Sequence, residues 1–257
     1  MKLKDIDVHI IAGQSNAVGC TNISTLPKDF QAERFENAYL YQEGNFFERN
    51  LYAKLTKGIT IGMGCYSGQM GIEYGISKEL DLHYGKPFAL IRYAFGGSNL
   101  YYDWMPRTKW AAEPIFQGCQ GFHYMNWSKT IYNGLMSLIN EGFNPIIKTL
   151  CWMQGESDAD KTADIANAYC DNLSDLIYTM RTELKDMNLK VIVGEIATKQ
   201  EFADIVRAGQ KKFCDTDVNA TLIFTKDIKI GTDGLHFDAP EDIVLGREFG
   251  KAIIKSL

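Results

Sequence analysis

Short runs of β-branched and aromatic residues recur along the chain, separated by stretches with a helical repeat. The runs cover 8–12, 38–41, 88–94, 146–152, 191–196 and 221–224. Several are apolar throughout instead of alternating with polar residues, which is the pattern of parallel strands covered on both faces. The strongest helical repeat spans 161–187, where Ile165, Tyr169, Leu173, Leu176, Ile177, Met180, Leu184 and Met187 return every three or four residues. A second helix is predicted over 126–141, with Trp127, Ile131, Leu135 and Leu138 inward and Gly142 as its stop. Two more fall at about 72–84 and 200–213. The last begins at Asp238-Ala239-Pro240-Glu241, where an Asp cap, an early Pro and a Glu three residues on mark a helix start.

Strands that alternate with helices imply βαβ crossovers and a parallel sheet with helices on both faces. No repeat, low-complexity tract or Pro/Gly-rich linker divides the chain, so residues 1–257 read as a single domain. The stretch 95–125 is long, rich in glycine and aromatics and poor in regular pattern, which points to a functional loop.

Composition narrows the partners. Hydrophobic residues make up 46% and charged residues 23%, enough apolar material for a substantial core and too ordered a mixture for disorder. The formal charge of −5 disfavours nucleic acid and anionic membrane as partners and fits a small neutral or weakly charged substrate. No run of 18 apolar residues suggests a membrane span, and the first residues lack the apolar core of a secretory leader. The expectation is a cytoplasmic protein; a secreted one with its leader removed would have the same sequence. Six cysteines at 20, 65, 119, 151, 170 and 214 form neither a CxxC pair nor a zinc-ligand spacing with histidine. Cys151 and Cys170 suit buried thiols, while a disulfide joining Cys20 to Cys65 or Cys119 is an open alternative. No metal or other cofactor is expected.

In open α/β sheets ligands bind at the carboxyl ends of the strands, so the residues just after each strand carry the chemistry. Gly13-Gln14-Ser15-Asn16-Ala17-Val18-Gly19 follows the first strand. Its serine on a glycine-flanked turn has the exposed hydroxyl and neighbouring N–H groups that an acyl-transfer nucleophile needs, and the same residue would equally serve as a helix cap. Phe95-Gly96-Gly97-Ser98-Asn99 follows another strand and lets the backbone approach a ligand closely. Gln154-Gly155-Glu156-Ser157-Asp158 brings an amide and a carboxylate to the same edge, with Asp158 reading as an N-cap. Asp233-Gly234-Leu235-His236 precedes the last helix, and an Asp three residues before a His can reach Nδ1 and leave Nε2 for a serine. Of the four histidines, His9, His83 and His123 have no such neighbour at a strand end.

Taken in this order, the four blocks resemble the SGNH-hydrolase superfamily. Within it they are most similar to the sialate O-acetylesterase domain branch, akin to acetylxylan esterases of carbohydrate esterase family six. Trp104 after the glycine pair and Gly71-Ile72-Glu73 opening a helix belong to the same likeness, although Ile72 stands where Pro is frequent and Ser98 where Thr is commoner. The resemblance implies an α/β fold: a three-layer α/β/α sandwich with a flavodoxin-like parallel sheet of about five strands. It implies a metal-free serine esterase with Ser15 as nucleophile, His236 as base and Asp233 as third member. The oxyanion hole would comprise the Ser15 N–H, the Gly97 N–H (Gly96 is the alternative) and the Gln154 side chain, where the wider superfamily has Asn. Asn16 and Glu156 are supporting residues; three roles are open to Glu156: orienting the site, binding a sugar hydroxyl or backing His236.

The implied substrate is an acetyl ester of a small molecule or oligosaccharide, either an acetylated xylan-type chain or O-acetyl sialic acid. Arg107 or Lys109 would meet a sialate carboxylate. Among Tyr101, Tyr102, Trp104, Trp110, Phe116, Phe122 and Tyr124, two or three would floor a sugar cleft and the rest would be core. Two competing readings remain: a catalytically weak carbohydrate-binding protein on this scaffold, and an SGNH esterase for lipid or thioester acyl chains.

Overall fold

The computed structural model describes residues 2–43, 54–66, 68–106 and 121–257. Its centre is β1 (Lys4–Gly13), whose apolar residues face both ways. Ile6, Val8, Ile10 and Ala12 point into one core and Ile11 into the other, all buried. On either side of β1 run β6 (Phe88–Ala94) and β7 (Phe143–Met153), both parallel to it. Beyond them come β3 (Phe35–Gln42) on one flank and β8 (Lys190–Gly194) then β9 (Ala220–Ile223) on the other. The edge strand β4 (Lys54–Ile59) pairs antiparallel with β3, giving the order β4-β3-β6-β1-β7-β8-β9. A two-stranded ribbon of β2 (Thr21–Asn22) and β5 (Gln69–Met70) lies apart from the sheet.

Helices cover both faces, so the expected three-layer sandwich is present with seven strands instead of about five. The additional strand β4 carries Lys54, Lys57 and Gly58 and only two buried residues. Charged, half-exposed edge strands give little apolar signal because their lysines discourage further pairing. Following α1 (Ser15–Val18), α2 (Glu73–Tyr84) lies on one face with the C-terminal α8 (Ala239–Ser256), and their Ile76, Leu80, Leu245 and Phe249 fill one core. The opposite face holds α3 (Phe122–Asn140), α6 (Tyr169–Leu184) and α7 (Ala203–Thr216), with Trp127, Ile131, Leu173, Met180 and Val206 in the other core.

Several expected boundaries change. Helix α3 starts at Phe122, four residues earlier than the apolar repeat suggested, behind a left-handed Gly121. The single helix expected over 161–187 is two: α5 (Ala163–Asn167), capped by the Thr162 hydroxyl, and α6, joined at Ala168. The break seats Tyr169 wholly inside, where its hydroxyl donates to Gln154 O at 2.7 Å. Helix α6 ends at Leu184, so Met187 lies beyond it and is half exposed instead of inward. At the start of α8, Asp238 occupies the cap position without a side-chain cap; the Ala239 N–H donates instead to Thr25 Oγ1 at 2.8 Å. Cys20 and Cys65 are hydrogen-bonded thiols with no disulfide between them, and Cys119 lies outside the described residues.

Helices α2 and α8 touch backbone to backbone. A Cβ on Gly75 would meet Ile243 O at 2.4 Å, and one on Gly246 would meet Ile72 O at 2.4 Å. Neither clash falls on a side chain that can turn away. We therefore expect Gly75→Ala or Gly246→Ala to force the helices apart and cost about 1–3 kcal/mol, the usual penalty of overpacking. Urea denaturation midpoints measure it directly.

Candidate active site

The first strand ends in a turn that only glycine can make. Gly13 has φ +140°, and a Cβ there would lie 1.9 Å from Met153 O on β7. The same carbonyl accepts from Gln14 N at 2.9 Å, so the chain leaves β1 tight against the end of β7. Ser15 then opens α1, a single turn closed by Gly19 in the left-handed region. Ser15 is 6% exposed.

The glycine turn after β6 lies beside it. Phe95 N donates to Gly13 O at 3.0 Å, and a Cβ on Gly96 would sit 3.8 Å from Ser15 Cβ. Gly97 has φ +73° with open space where its side chain would be. Ser98 Oγ donates to Phe95 O at 2.7 Å and accepts from Trp104 Nε1 at 2.9 Å, which fixes the turn from below.

Beneath both loops lies a buried polar lattice. Gln14 Oε1 accepts from Gln154 Nε2 at 3.2 Å and from Ser157 N at 3.2 Å. Gln154 Nε2 also approaches Ser98 O at 3.1 Å and Asp158 Oδ2 at 2.6 Å. Two hydrogens thus face three acceptors. Expected to be a simple helix cap, Asp158 instead is completely buried in the short helix α4 (Glu156–Ala159). Its carboxylate takes the N–H groups of Leu100, at 2.8 Å, and Tyr101, at 3.2 Å, and so pins the segment after the glycine turn. Gln210 on α7 was missed by sequence reasoning: its amide donates to Gln154 O at 3.0 Å and Gly194 O at 3.1 Å. The signal was there, a glutamine in the apolar stripe Ala203, Val206, Phe213 of its helix.

The Asp233-x-x-His236 spacing makes the contacts it predicts. Asp233 Oδ2 lies 2.7 Å from His236 Nδ1, while Oδ1 accepts the N–H groups of Leu235 and His236, each at 2.8 Å. Partial burial, the largest single influence, raises the Asp233 pKa, but the His236 and Leu235 N–H groups and the imidazole outweigh it. The carboxyl is therefore held below its ordinary value. The loop is anchored by Gly231 N to His236 O at 2.7 Å, Thr21 Oγ1 to Phe237 O at 3.0 Å and Thr198 Oγ1 to Gly234 O at 3.3 Å.

Asn16, the residue after Ser15, joins the two halves. Its Nδ2 donates to Leu235 O at 3.2 Å and to Glu156 Oε1 at 2.7 Å. The His loop, the serine turn and the end of β7 therefore meet on one side chain, although no hydrogen bond joins Ser15 Oγ to the His236 ring among the described residues. Burial pushes the Glu156 carboxyl up, and its own N–H, Asn16 and nearby His236 pull back only in part.

The other histidines are elsewhere. Burial lowers His9 to about 3, and its ring bonds Thr149 and Tyr84 inside the sheet layer. His123 is on the first turn of α3, not in an irregular loop; burial takes it to about 4, and it stacks on Phe95 at 4.4 Å. Of the loop aromatics, Trp104 and Tyr124 are core, Tyr101 and Tyr102 half-buried and Phe122 exposed. Trp110 and Phe116, like Arg107 and Lys109, lie outside the described residues. No group of His, Cys, Asp and Glu able to hold a metal occurs among the described residues, and none of their helices is long and apolar enough to cross a membrane.

Fold and site together define the class: an α/β/α protein that gathers a serine turn, a glycine turn and an Asp–His pair at the carboxyl edge of one sheet. The family model for carbohydrate esterase, sialic acid-specific acetylesterase, matches residues 5–255, and the chain belongs to that family. A probable carbohydrate esterase of Arabidopsis thaliana is 29% identical over 110 residues, 43% of this chain and 41% of that protein. The alignment thus spans about two fifths of the curated relative's length. Among solved structures, one Arabidopsis thaliana protein shares the fold with TM-score 0.71 and 20% identity, covering 98% of each chain. A carbohydrate acetylesterase from Xanthomonas citri superposes with TM-score 0.61 and 18% identity over 97% of this chain and 55% of its own. NanS gives TM-score 0.69 and 12% identity over 99% and 98%.

Asp158 lends the site a pH dependence. Burial pushes its carboxyl up to about 7 against the pull of the Leu100, Gln154 and Tyr101 donors, with Asp103 adding to the rise. The folded protein then binds this proton more tightly than the unfolded chain, so the group favours folding most at low pH. That contribution is lost as pH rises from about 4 to about 7. We expect Asp158→Asn to flatten this part of the stability curve, read as urea midpoints at pH 5 and pH 7.5.

Proposed function

We propose that this protein is a serine esterase that removes O-acetyl groups from a carbohydrate through an acetyl-enzyme on Ser15. One observation carries the reading: Asn16 ties the serine turn to the loop in which Asp233 holds His236 by its Nδ1, 2.7 Å away. With Nδ1–H donated to a carboxylate, Nε2 is the basic nitrogen and Asp233 stabilises the imidazolium that forms. His236 takes the Ser15 hydroxyl proton as Oγ attacks the acetyl carbonyl. The tetrahedral oxyanion meets the N–H groups of Ser15 and Gly97, with Gly96 as the alternative to the latter. His236 returns its proton to the departing sugar oxygen, then activates a water that releases acetate. Gln154 joins as a third donor by exchanging its longer contacts, to Ser98 O or Gln14 Oε1, for the oxyanion, while Asp158 keeps the other hydrogen.

A polar ligand suits the surroundings better than an acyl chain. A groove of about 680 Å³ at the ends of β8 and β9 is lined by Thr198, Lys199, Glu201, Arg207, Lys226 and Ile230 among others. Its wall is joined to the His loop through Thr198 and Gly234. Nine of the thirteen lining residues are charged or polar, acids and bases in equal measure, and offer hydrogen bonds to sugar hydroxyls and little to a fatty tail.

Hydrolysis of p-nitrophenyl acetate, with circular dichroism to confirm folding, is the test. Ser15→Ala should abolish turnover, and Gln154→Ala should lower kcat on the order of 10²–10³, as loss of one oxyanion donor does. A folded wild type no faster than Ser15→Ala would leave the weak carbohydrate-binding reading in its place. Octanoate cleaved faster than acetate would favour the lipid esterase. Acetylated xylo-oligosaccharide against O-acetyl sialic acid then decides the sugar.

A further inference from the structure

Between them, Asn16 and Glu156 leave two buried oxygens without a donor. Asn16 Nδ2 gives one hydrogen to Glu156 Oε1 at 2.7 Å and the other to Leu235 O at 3.2 Å, so its donors are used up. Asn16 Oδ1 and Glu156 Oε2 are both inaccessible to solvent, and neither receives a hydrogen bond. A buried acceptor left without a donor is costly, more so when charged, and two on side chains already joined by a hydrogen bond call for an explanation. A planar amide and a planar carboxyl that already share one N–H···O contact lack only one hydrogen to share a second.

We propose that Glu156 is a neutral carboxylic acid whose Oε2–H donates to Asn16 Oδ1, closing a two-hydrogen-bond ring with the Asn16 amide. This rests on the Ser15–His236 reading of the site and settles which of the open roles Glu156 takes. It is a positioning residue that acts through Asn16, not a second carboxylate behind His236. The ring locks the amide plane, and the remaining amide hydrogen holds Leu235 O one residue before the base. The distance from the serine turn to His236 is thereby set by a rigid pair instead of a single rotatable side chain.

Burial favours the neutral form, and the groups that oppose it, its own N–H, the Asn16 amide and His236 in the loop before α8, offset it only in part. Tyr169 on α6 is pushed further up by Glu156, and Asp158 shares the Glu156 helix. Neither Lys nor Arg is among the influences on its carboxyl, and an ionised form would be a fully buried charge held by one amide and its own N–H. Asp233 already supplies the imidazole with an anion, at 2.7 Å.

The test compares Glu156→Ala with Glu156→Gln. Gln keeps the ring, its oxygen accepting from Asn16 Nδ2 and its NH₂ donating to Asn16 Oδ1. Ala should lower kcat/KM on p-nitrophenyl acetate at least about tenfold, and Gln should recover most of that loss. Independently of turnover, the infrared difference between wild type and Glu156→Gln at neutral pH should contain a protonated-carboxyl C=O band that shifts in D₂O. A Gln variant that is no better than Ala, or that fails to fold, overturns the proposal, as does absence of that band. Should Ser15→Ala sink the esterase reading, the infrared band still decides whether Glu156 carries its proton.

Discussion

Everything at the carboxyl edge of the sheet depends on how closely β1 and β7 end together. With Met153 O where a Gly13 Cβ would be, the chain cannot continue as a strand and cannot tolerate any residue but glycine. It turns, Gln14 N takes that same carbonyl, and Ser15 is delivered at the carboxyl end of β1, between the ends of β6 and β7. The position of the serine is thus a consequence of backbone contact between central strands and owes little to its own side-chain contacts.

The polar lattice below the turn extends that rigidity sideways. Gln14, Gln154, Asp158 and Gln210 are all completely or almost completely buried and link the ends of β1, β7 and β8 to the segment after β6. An apolar core would cover the same volume with less desolvation. What the lattice adds is direction: each amide and carboxylate fixes a particular N–H or C=O at the strand ends and in the segment after the glycine turn. A partly satisfied network is costly, which makes the exceptions informative. Asn16 and Glu156 stand out because they are the two members next to Ser15 and His236 that the lattice leaves short of a donor.

The sequence revealed the strands in the sheet interior and the four chemical blocks, for different reasons. Strands such as Phe88–Ala94, buried along their whole length, must be apolar on both faces, so their pattern survives without tertiary information. Asp233 and His236 were legible because their contact is local, three residues apart. What escaped is whatever depends on distant partners. β4 is made of residues chosen to face solvent, and Asp158 resembles a cap until Leu100 and Tyr101 are brought to it from across the sheet. The break at Ala168 likewise answers to Gln154, to which the Tyr169 hydroxyl donates from fifteen residues away in the chain. The aromatic loop was ambiguous for the same reason, and Trp104 proves to be a pillar under the glycine turn, edge-on to Trp152 at 5.0 Å.

That last point bears on how a sugar would be recognised. With Trp104 and Tyr124 inside, two of the aromatic surfaces offered by the sequence for the floor of a cleft face the core and not solvent. On the proposed reading, recognition would shift toward polar contacts on the β8–β9 side, where the groove shares Thr198 with the His loop. A site of this kind gains selectivity from hydrogen-bond pattern more than from stacking, since each unpaired polar group left by a wrong sugar carries a desolvation penalty. On the proposed reading it would also couple binding to catalysis, because the Thr198 hydroxyl on the groove wall has one hydrogen to share between Gln200 Oε1 at 3.2 Å and Gly234 O, between Asp233 and His236, at 3.3 Å. A ligand that competed for that hydroxyl would loosen the base; one that left it in place would keep the imidazole aligned.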